Sequence, residues 1–139
     1  MDMLNKAILI AIKAHKNQKD KGNNDYINHP IYVALQMKTE EEKIVAILHD
    51  VIEDSSITLQ DLKNQGFNNE IINAIDILTR KDNIDYFDYI KLVKTNTLAR
   101  KVKLADLKHN LLEERLKNNN SWKNILFDKY NKAKQELEV

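Results

Sequence analysis

Cysteine is absent from this 139-residue sequence, and it contains only one proline and two glycines. Without cysteine the chain has no disulfide framework, no thiolate metal site and no thiol nucleophile. With so few glycines and prolines it also lacks the turn residues that separate the strands of a β-protein. Because apolar residues recur at helical spacing nearly everywhere, we predict an all-α fold.

Long apolar runs and an excess of one charge are also missing. No stretch approaches the roughly 18 apolar residues of a transmembrane helix, and residues 1–12 lack the basic start and cleavage site of a signal peptide. Lysines and arginines number 22 and acids 21, which argues against binding to nucleic acid or a membrane surface through bulk charge. We expect one domain over residues 1–139, in a cytoplasmic enzyme or binding protein.

The apolar spacing predicts a series of helices separated by short polar segments. Their expected ranges are 2 to about 18, 31 to about 37, 40–54, 58–66, 69–79, 84–94, 97–117 and 121–137, with a polar loop over residues 16–28. Thr39, Asn68 or Asn69, and Ser121 have side chains suited to cap helix starts. Pro30 is tolerated in a first turn, and Gly66 is a usual helix end.

The central helix carries four polar groups in an apolar surround, namely His49, Asp50, Glu53 and Asp54. At roughly 100° per residue these four side chains fall within about 140° of one another. Burying three carboxylates beside an imidazole is costly unless a cation neutralises them. The stretch from 44 to 54 therefore predicts a metal site.

Two other places offer metal-ligating donors in apolar settings. His29 stands at a helix entrance, directly before Pro30, and Asp106 is the single acid of the apolar stretch 102–110. Two imidazoles and two carboxylates suit Mn²⁺, Fe²⁺ or Zn²⁺ better than Ca²⁺, which prefers an oxygen-only cage.

The order His29, His49–Asp50 and Asp106 resembles the H…HD…D signature of the HD superfamily of metal-dependent phosphohydrolases. Four blocks, at residues 14–18, 26–30, 48–54 and 102–110, are similar in order and content to RelA/SpoT-type guanosine tetraphosphate hydrolases. The likeness extends over about residues 5 to 116. It implies a single-domain HD-type helical bundle and a hydrolase of the stringent response.

The resemblance also implies roles for particular residues. One divalent ion, usually Mn²⁺, would be bound by His29, His49, Asp50 and Asp106. An acid–base pair, Glu53 and Asp54, would act beside the metal-activated water. Substrate contacts would come from Lys21, Tyr26, Asn110 and Arg115. One position departs from the family, since Asp20 stands where an arginine next to the guanine is expected and the loop before Tyr26 is shorter.

Three functions remain open on the sequence alone. The first is removal of the 3′-pyrophosphate of guanosine tetraphosphate or a related nucleotide. The second, favoured by Asp20, is hydrolysis of another nucleotide or small phosphate ester. The third is a nucleotide-binding module without turnover, which the retained Glu53 and Asp54 disfavour.

For several other residues the sequence favours a structural role over a functional one. We expect His15 to be a core histidine or one that supports the site, and His109 to lie at the surface. Trp122, Phe127 and Tyr130 are expected in the core or in a contact between subunits. The sequence does not indicate an oligomeric state.

Overall fold

A computed structural model describes the backbone of residues 1–116 and 121–139 and the side chains of residues 1–112 and 125–139. Within these ranges the chain forms nine helices, and the one β-type pairing is an isolated bridge between Lys19 and Asp25. The helices are α1 (Met3–Ala14), α2 (Asn28–Leu35), α3 (Glu40–Leu48), α4 (Val51–Asp54), α5 (Leu59–Asn64), α6 (Asn69–Leu78), α7 (Tyr86–Lys94), α8 (Thr97–Leu116) and α9 (Ser121–Glu138). The all-α prediction is confirmed. None of the described helices has the length and apolarity needed to cross a membrane.

Helices α3 and α8 lie at the centre of the bundle. Helix α3 packs against α1, α2, α6 and α8, and α8 packs against α2, α3, α6, α7 and α9. Val45 and Leu48 from α3 and Val102 and Leu107 from α8 are completely buried. This packing brings α2, the end of α3 and the middle of α8 together, although they are far apart in the sequence.

Helix caps fix the starts of the central elements as the sequence predicted. Thr39 accepts a hydrogen bond from the Glu42 amide at the start of α3, and the Glu42 side chain completes the capping box. Thr58 caps α5 with a second capping box, and the Asn68 side chain caps α6 by accepting the Ile71 amide. Beyond α5, Gly66 has a φ of +98°, a conformation that favours glycine. Ser121 is the first residue of α9, and its predicted capping contact lies outside the described side chains.

The first two helices differ in length from the prediction. Helix α1 ends at Ala14 rather than near residue 18, since His15 caps it and Asn17 adopts a positive φ of 66°. Helix α2 begins at Asn28 instead of residue 31 and places Pro30 in its first turn, where the missing amide hydrogen costs little.

The central helix is broken where the sequence predicted a continuous one. Helix α3 ends at Leu48, Asp50 has φ −105° and ψ 0°, and α4 begins at Val51. The ring Nδ1–H of His49 donates to the Ala46 carbonyl at 2.5 Å. In a continuous helix that carbonyl would accept the amide of Asp50. The break therefore coincides with the two residues predicted to bind metal.

Candidate metal centre

The four predicted metal ligands come from three helical segments and meet at one point. Helix α2 supplies His29, the junction of α3 and α4 supplies His49 and Asp50, and α8 supplies Asp106. One ligand atom each from His29, His49 and Asp50 lies within 4.8 Å of the others. Asp106 Oδ1 is 2.7 Å from His29 Nε2 and 3.6 Å from His49 Nε2.

The ring of His49 directs one nitrogen, Nε2, at the carboxylates of Asp50 and Asp106. Since its Nδ1 proton goes to Ala46, Nε2 is the ring atom left to take either a proton or a metal ion, and it has no hydrogen-bond partner among the described residues. Asp50 Oδ2 lies 3.0 Å from Nε2, and His49 is only 3% exposed. Burial lowers the pKa of His49, but the charges of Asp50 and Asp106 outweigh it and raise that pKa well above its ordinary value. A positive charge is therefore favoured at Nε2, and a divalent ion among these mixed nitrogen and oxygen donors supplies one.

The two inner carboxylates are held in their ionised form. Burial opposes ionisation of Asp106, but Lys103, whose Nζ donates to Oδ2 at 2.9 Å, and the two histidines hold its pKa well below the usual range. Burial acts likewise on Asp50, yet the charge of His49 dominates and lowers the pKa to about 2. The Tyr26 hydroxyl donates to Asp50 Oδ2 at 2.6 Å. Ionised carboxylates with fixed orientations are what a metal site requires.

Glu53 and Asp54 lie on α4, one turn beyond the junction, and are more exposed. Glu53 Oε1 accepts the Arg80 amide at 2.8 Å, and Asp54 Oδ2 accepts the side-chain amide of Gln18 at 3.2 Å. Partial burial raises the pKa of both carboxyls above the ordinary values. These two groups can therefore exchange a proton more readily than the inner pair.

The residues predicted to contact substrate occupy different surroundings. Tyr26 is bonded to Asp50, and Asn110 Nδ2 lies 3.4 Å from Asp106 Oδ1, so both border the centre. Lys21 is exposed in the loop between α1 and α2. The side chain of Arg115 lies outside the described residues.

Asp20 builds the loop that precedes Tyr26. Its Oδ1 accepts the amide of Gly22 at 2.8 Å and that of Asn24 at 2.9 Å. A side chain satisfied by two amides of its own loop has a structural role, which explains an acid at this position.

Two residues of α8 that touch the centre were not identified from the sequence. The prediction that His109 lies at the surface is wrong, because it is half-buried with its Nδ1 2.6 Å from Nδ1 of His29. Lys103 contacts Asp106 from the preceding turn. Helical spacing could have identified them, since Lys103 lies three residues before Asp106 and His109 three residues after it, on the same helix face. His15 is buried, as predicted, and bonds Gln18, which in turn bonds Asp54.

The fold is shared with a structure of known activity. A metazoan orthologue of SpoT, described as hydrolysing ppGpp, superposes with a TM-score of 0.75 at 22% sequence identity, covering 96% of this chain and 82% of the other. That likeness establishes a shared all-helical fold. No family model matches the sequence.

Sequence relatives then define the group more closely. The GTP pyrophosphokinase rsh of Brucella melitensis is 34% identical over 78% of this chain and 16% of its own length. The bifunctional (p)ppGpp synthase/hydrolase SpoT of Escherichia coli K12 is 32% identical over 78% of this chain and 17% of its own length. The chain thus spans about a sixth of the length of the relatives it matches. Its homologues are RelA/SpoT-type enzymes, which confirms the resemblance stated from the sequence blocks.

Proposed function

We propose that this chain is a metal-dependent phosphohydrolase that removes the 3′-pyrophosphate of guanosine tetraphosphate or a related nucleotide. The observation that carries the proposal is the convergence of His29, His49, Asp50 and Asp106 around His49 Nε2, a buried atom with no hydrogen-bond partner among the described residues. The shared fold and the RelA/SpoT-type relatives support the choice of reaction. We assign residues 1–139 to one hydrolase domain.

The ion would be bound by His29, His49, Asp50 and Asp106, and we propose Mn²⁺. Mixed imidazole and carboxylate donors suit this ion and its transition-metal neighbours. When bound, a divalent ion polarises a phosphoryl oxygen and lowers the pKa of water.

The chain's own residues then have separable tasks. Tyr26 and Lys103 each donate a hydrogen bond to one inner carboxylate, which keeps Asp50 and Asp106 ionised and oriented. Glu53 and Asp54, with their raised pKa values, take a proton from the attacking water and return one to the leaving oxygen. Because Glu53 Oε1 is bonded to the Arg80 amide, we assign proton transfer to its Oε2.

Substrate contacts are proposed for Lys21, Tyr26, Asn110 and Arg115. Lysine and arginine carry charges that match phosphate groups. Since Asp20 is bonded within its own loop, we propose no contact between its carboxylate and the base. Discrimination between guanine and adenine should then be weak.

The proposal is tested by a substrate panel with purified protein and Mn²⁺. We expect pyrophosphate release from guanosine tetraphosphate, and a slower or similar release from the adenosine 3′-pyrophosphate counterpart. Phosphate release from simple esters, with no pyrophosphate from either nucleotide, would favour the second function, a phosphohydrolase of another substrate. Nucleotide binding without any product would favour a binding module. Residence in the cytoplasm stays a prediction from the sequence.

A further inference from the structure

His109 makes an unusual contact with a residue of the metal centre. Its Nδ1 is 2.6 Å from Nδ1 of His29, the two ring planes differ by only 10°, and the ring centroids are 4.9 Å apart. A centroid distance that long, with nitrogens this close, means that the rings lie edge to edge with both nitrogens between them. One nitrogen must therefore donate and the other accept a hydrogen bond within the ring planes.

Metal binding decides which of the two nitrogens carries the proton. Nε2 of His29 faces Asp106 Oδ1 at 2.7 Å and is the atom that points into the centre. To bind a cation, Nε2 must offer its lone pair, so the single proton of the neutral ring must be at Nδ1. His29 Nδ1–H then donates to His109 Nδ1, and the proton of His109 lies on Nε2.

The ring of His109 is itself held in place from outside. Tyr32, one turn after His29 on α2, stacks on its face with a centroid distance of 4.0 Å and an angle of 15° between planes. Tyr32 itself is 37% exposed, so the stack lies at the edge of the protein surface. The stack fixes the plane of His109, and that plane is what aligns its Nδ1 with His29.

We propose that His109 is a positioning residue that fixes the tautomer and ring orientation of His29 for metal binding, with Tyr32 holding His109 in register. The inference rests on the proposed metal site. Ligating histidines usually donate their second ring N–H to a carboxylate, a carbonyl or water. In this chain a second imidazole takes that place.

Two variants of His109 separate the effect of its hydrogen-bond acceptor from the effect of its ring packing. His109→Phe keeps a flat ring against Tyr32 but removes the acceptor, whereas His109→Asn places a carbonyl oxygen close to the position of Nδ1. By calorimetric titration of metal-free protein with Mn²⁺, we expect His109→Phe to bind about 10–100-fold more weakly than wild type. His109→Asn should recover most of that loss, and Lys108→Ala, a control at the exposed neighbouring residue, should bind as wild type does. Equal affinity of His109→Phe and wild type would overturn the inference. No Mn²⁺ binding by wild type would instead refute the metal site itself.

A second measurement needs no substitution, which matters if His109→Phe fails to fold. Nitrogen-15 imidazole spectra of the wild-type protein loaded with Zn²⁺ report the tautomer of each ring. We expect the Nδ1–H form for His29 and the Nε2–H form for His109. An Nδ1–H signal on His109 in the loaded protein would contradict the proposed direction of the hydrogen bond.

Discussion

The centre contains two pairs of carboxylates, and they differ in every property that matters for chemistry. Asp106 is buried and Asp50 is half-buried. Tyr26 donates a hydrogen bond to Asp50 and Lys103 donates one to Asp106, and both carboxyls have lowered pKa values. Glu53 and Asp54 are more exposed, accept amide hydrogen bonds, and have raised pKa values.

The difference in pKa between the two pairs follows from their charged neighbours rather than from burial alone. Burial raises the pKa of every carboxyl in both pairs. The positive charges of His49 and Lys103 reverse that effect for the inner pair, Asp50 and Asp106. Among the described residues, no charge of comparable effect acts on the outer pair, Glu53 and Asp54. When the surroundings shift the pKa values of neighbouring acids in opposite directions, the acids commonly take different roles, one pair in binding and the other in proton transfer.

The largest effect is expected from loss of an inner ligand. His49→Ala removes a buried imidazole whose Nε2 faces both inner carboxylates, so Mn²⁺ binding and turnover should fall below detection. His15→Ala is the control for metal binding alone, because His15 is equally buried but lies next to Gln18 and Asp54 rather than a proposed ligand. Elemental analysis and calorimetric titration of both variants provide the measurement. Retained metal in His49→Ala would remove this residue from the ligand set.

The outer pair should affect turnover without affecting the ion. Glu53→Gln and Asp54→Asn preserve shape but cannot move a proton, so kcat should fall by about 10²–10⁴, the usual contribution of acid–base catalysis. Metal content, measured on the same samples, should match wild type. A variant that lost its metal would show that its carboxyl belongs with the inner pair.

Removal of the ion should destabilise the domain, since the two inner carboxylates then repel one another. At a free Mn²⁺ concentration one hundred times Kd, binding stabilises the folded state by about 2.7 kcal/mol, and a chelator removes that amount. Thermal unfolding with and without chelator measures it. His49→Ala serves as the control, because its melting temperature should not respond to chelator or to added Mn²⁺.

Glu42 provides a buried carboxylate outside the centre. A hydrogen bond from Lys101 lowers its pKa, against the opposing effect of burial, and the amides of Lys38 and Thr39 add to that lowering. Its contribution to stability is therefore complete above the unfolded-state pKa of about 4.3 and is lost as the pH falls through the lower folded-state value. Glu42→Gln keeps the capping box and loses only the ion pair with the half-exposed Lys101, so it should cost about 0.5 kcal/mol at neutral pH, and the difference from wild type should shrink in acid. A difference independent of pH would assign the effect to packing.

The smallest effect is expected at Asp20, an acid outside both pairs. Asp20→Arg removes two hydrogen bonds within the loop, so it should loosen that loop without improving the use of guanine over adenine. The measurement is the ratio of kcat/KM for matched guanine and adenine 3′-pyrophosphates in wild type and variant. A gain in the guanine ratio on substitution would place residue 20 at the base. A wild-type preference above about a hundredfold, roughly 2.7 kcal/mol, would show that another residue reads the base.

Local chemistry explains which features were predictable. Thr39, Thr58 and Asn68 cap helices because their side chains bond amides two or three residues away, a relation that sequence spacing contains. The break at His49 was not predictable in the same way. It depends on a ring that bonds the Ala46 carbonyl, and the apolar pattern of residues 44–54 fits a continuous helix equally well.

The sequence by itself determined the helical fold and the absence of thiol chemistry, because both follow from composition and periodicity. It also named the candidate donors, through the resemblance of its sequence blocks. Tertiary structure alone decided which groups support those donors. His29 and His109 are 80 residues apart, and whether their rings meet depends on how α2 packs against α8. The difference in pKa between the two carboxylate pairs likewise depends on where the fold places the side chains of Lys103 and Tyr26, since electrostatic effects fall with distance and with exposure to water.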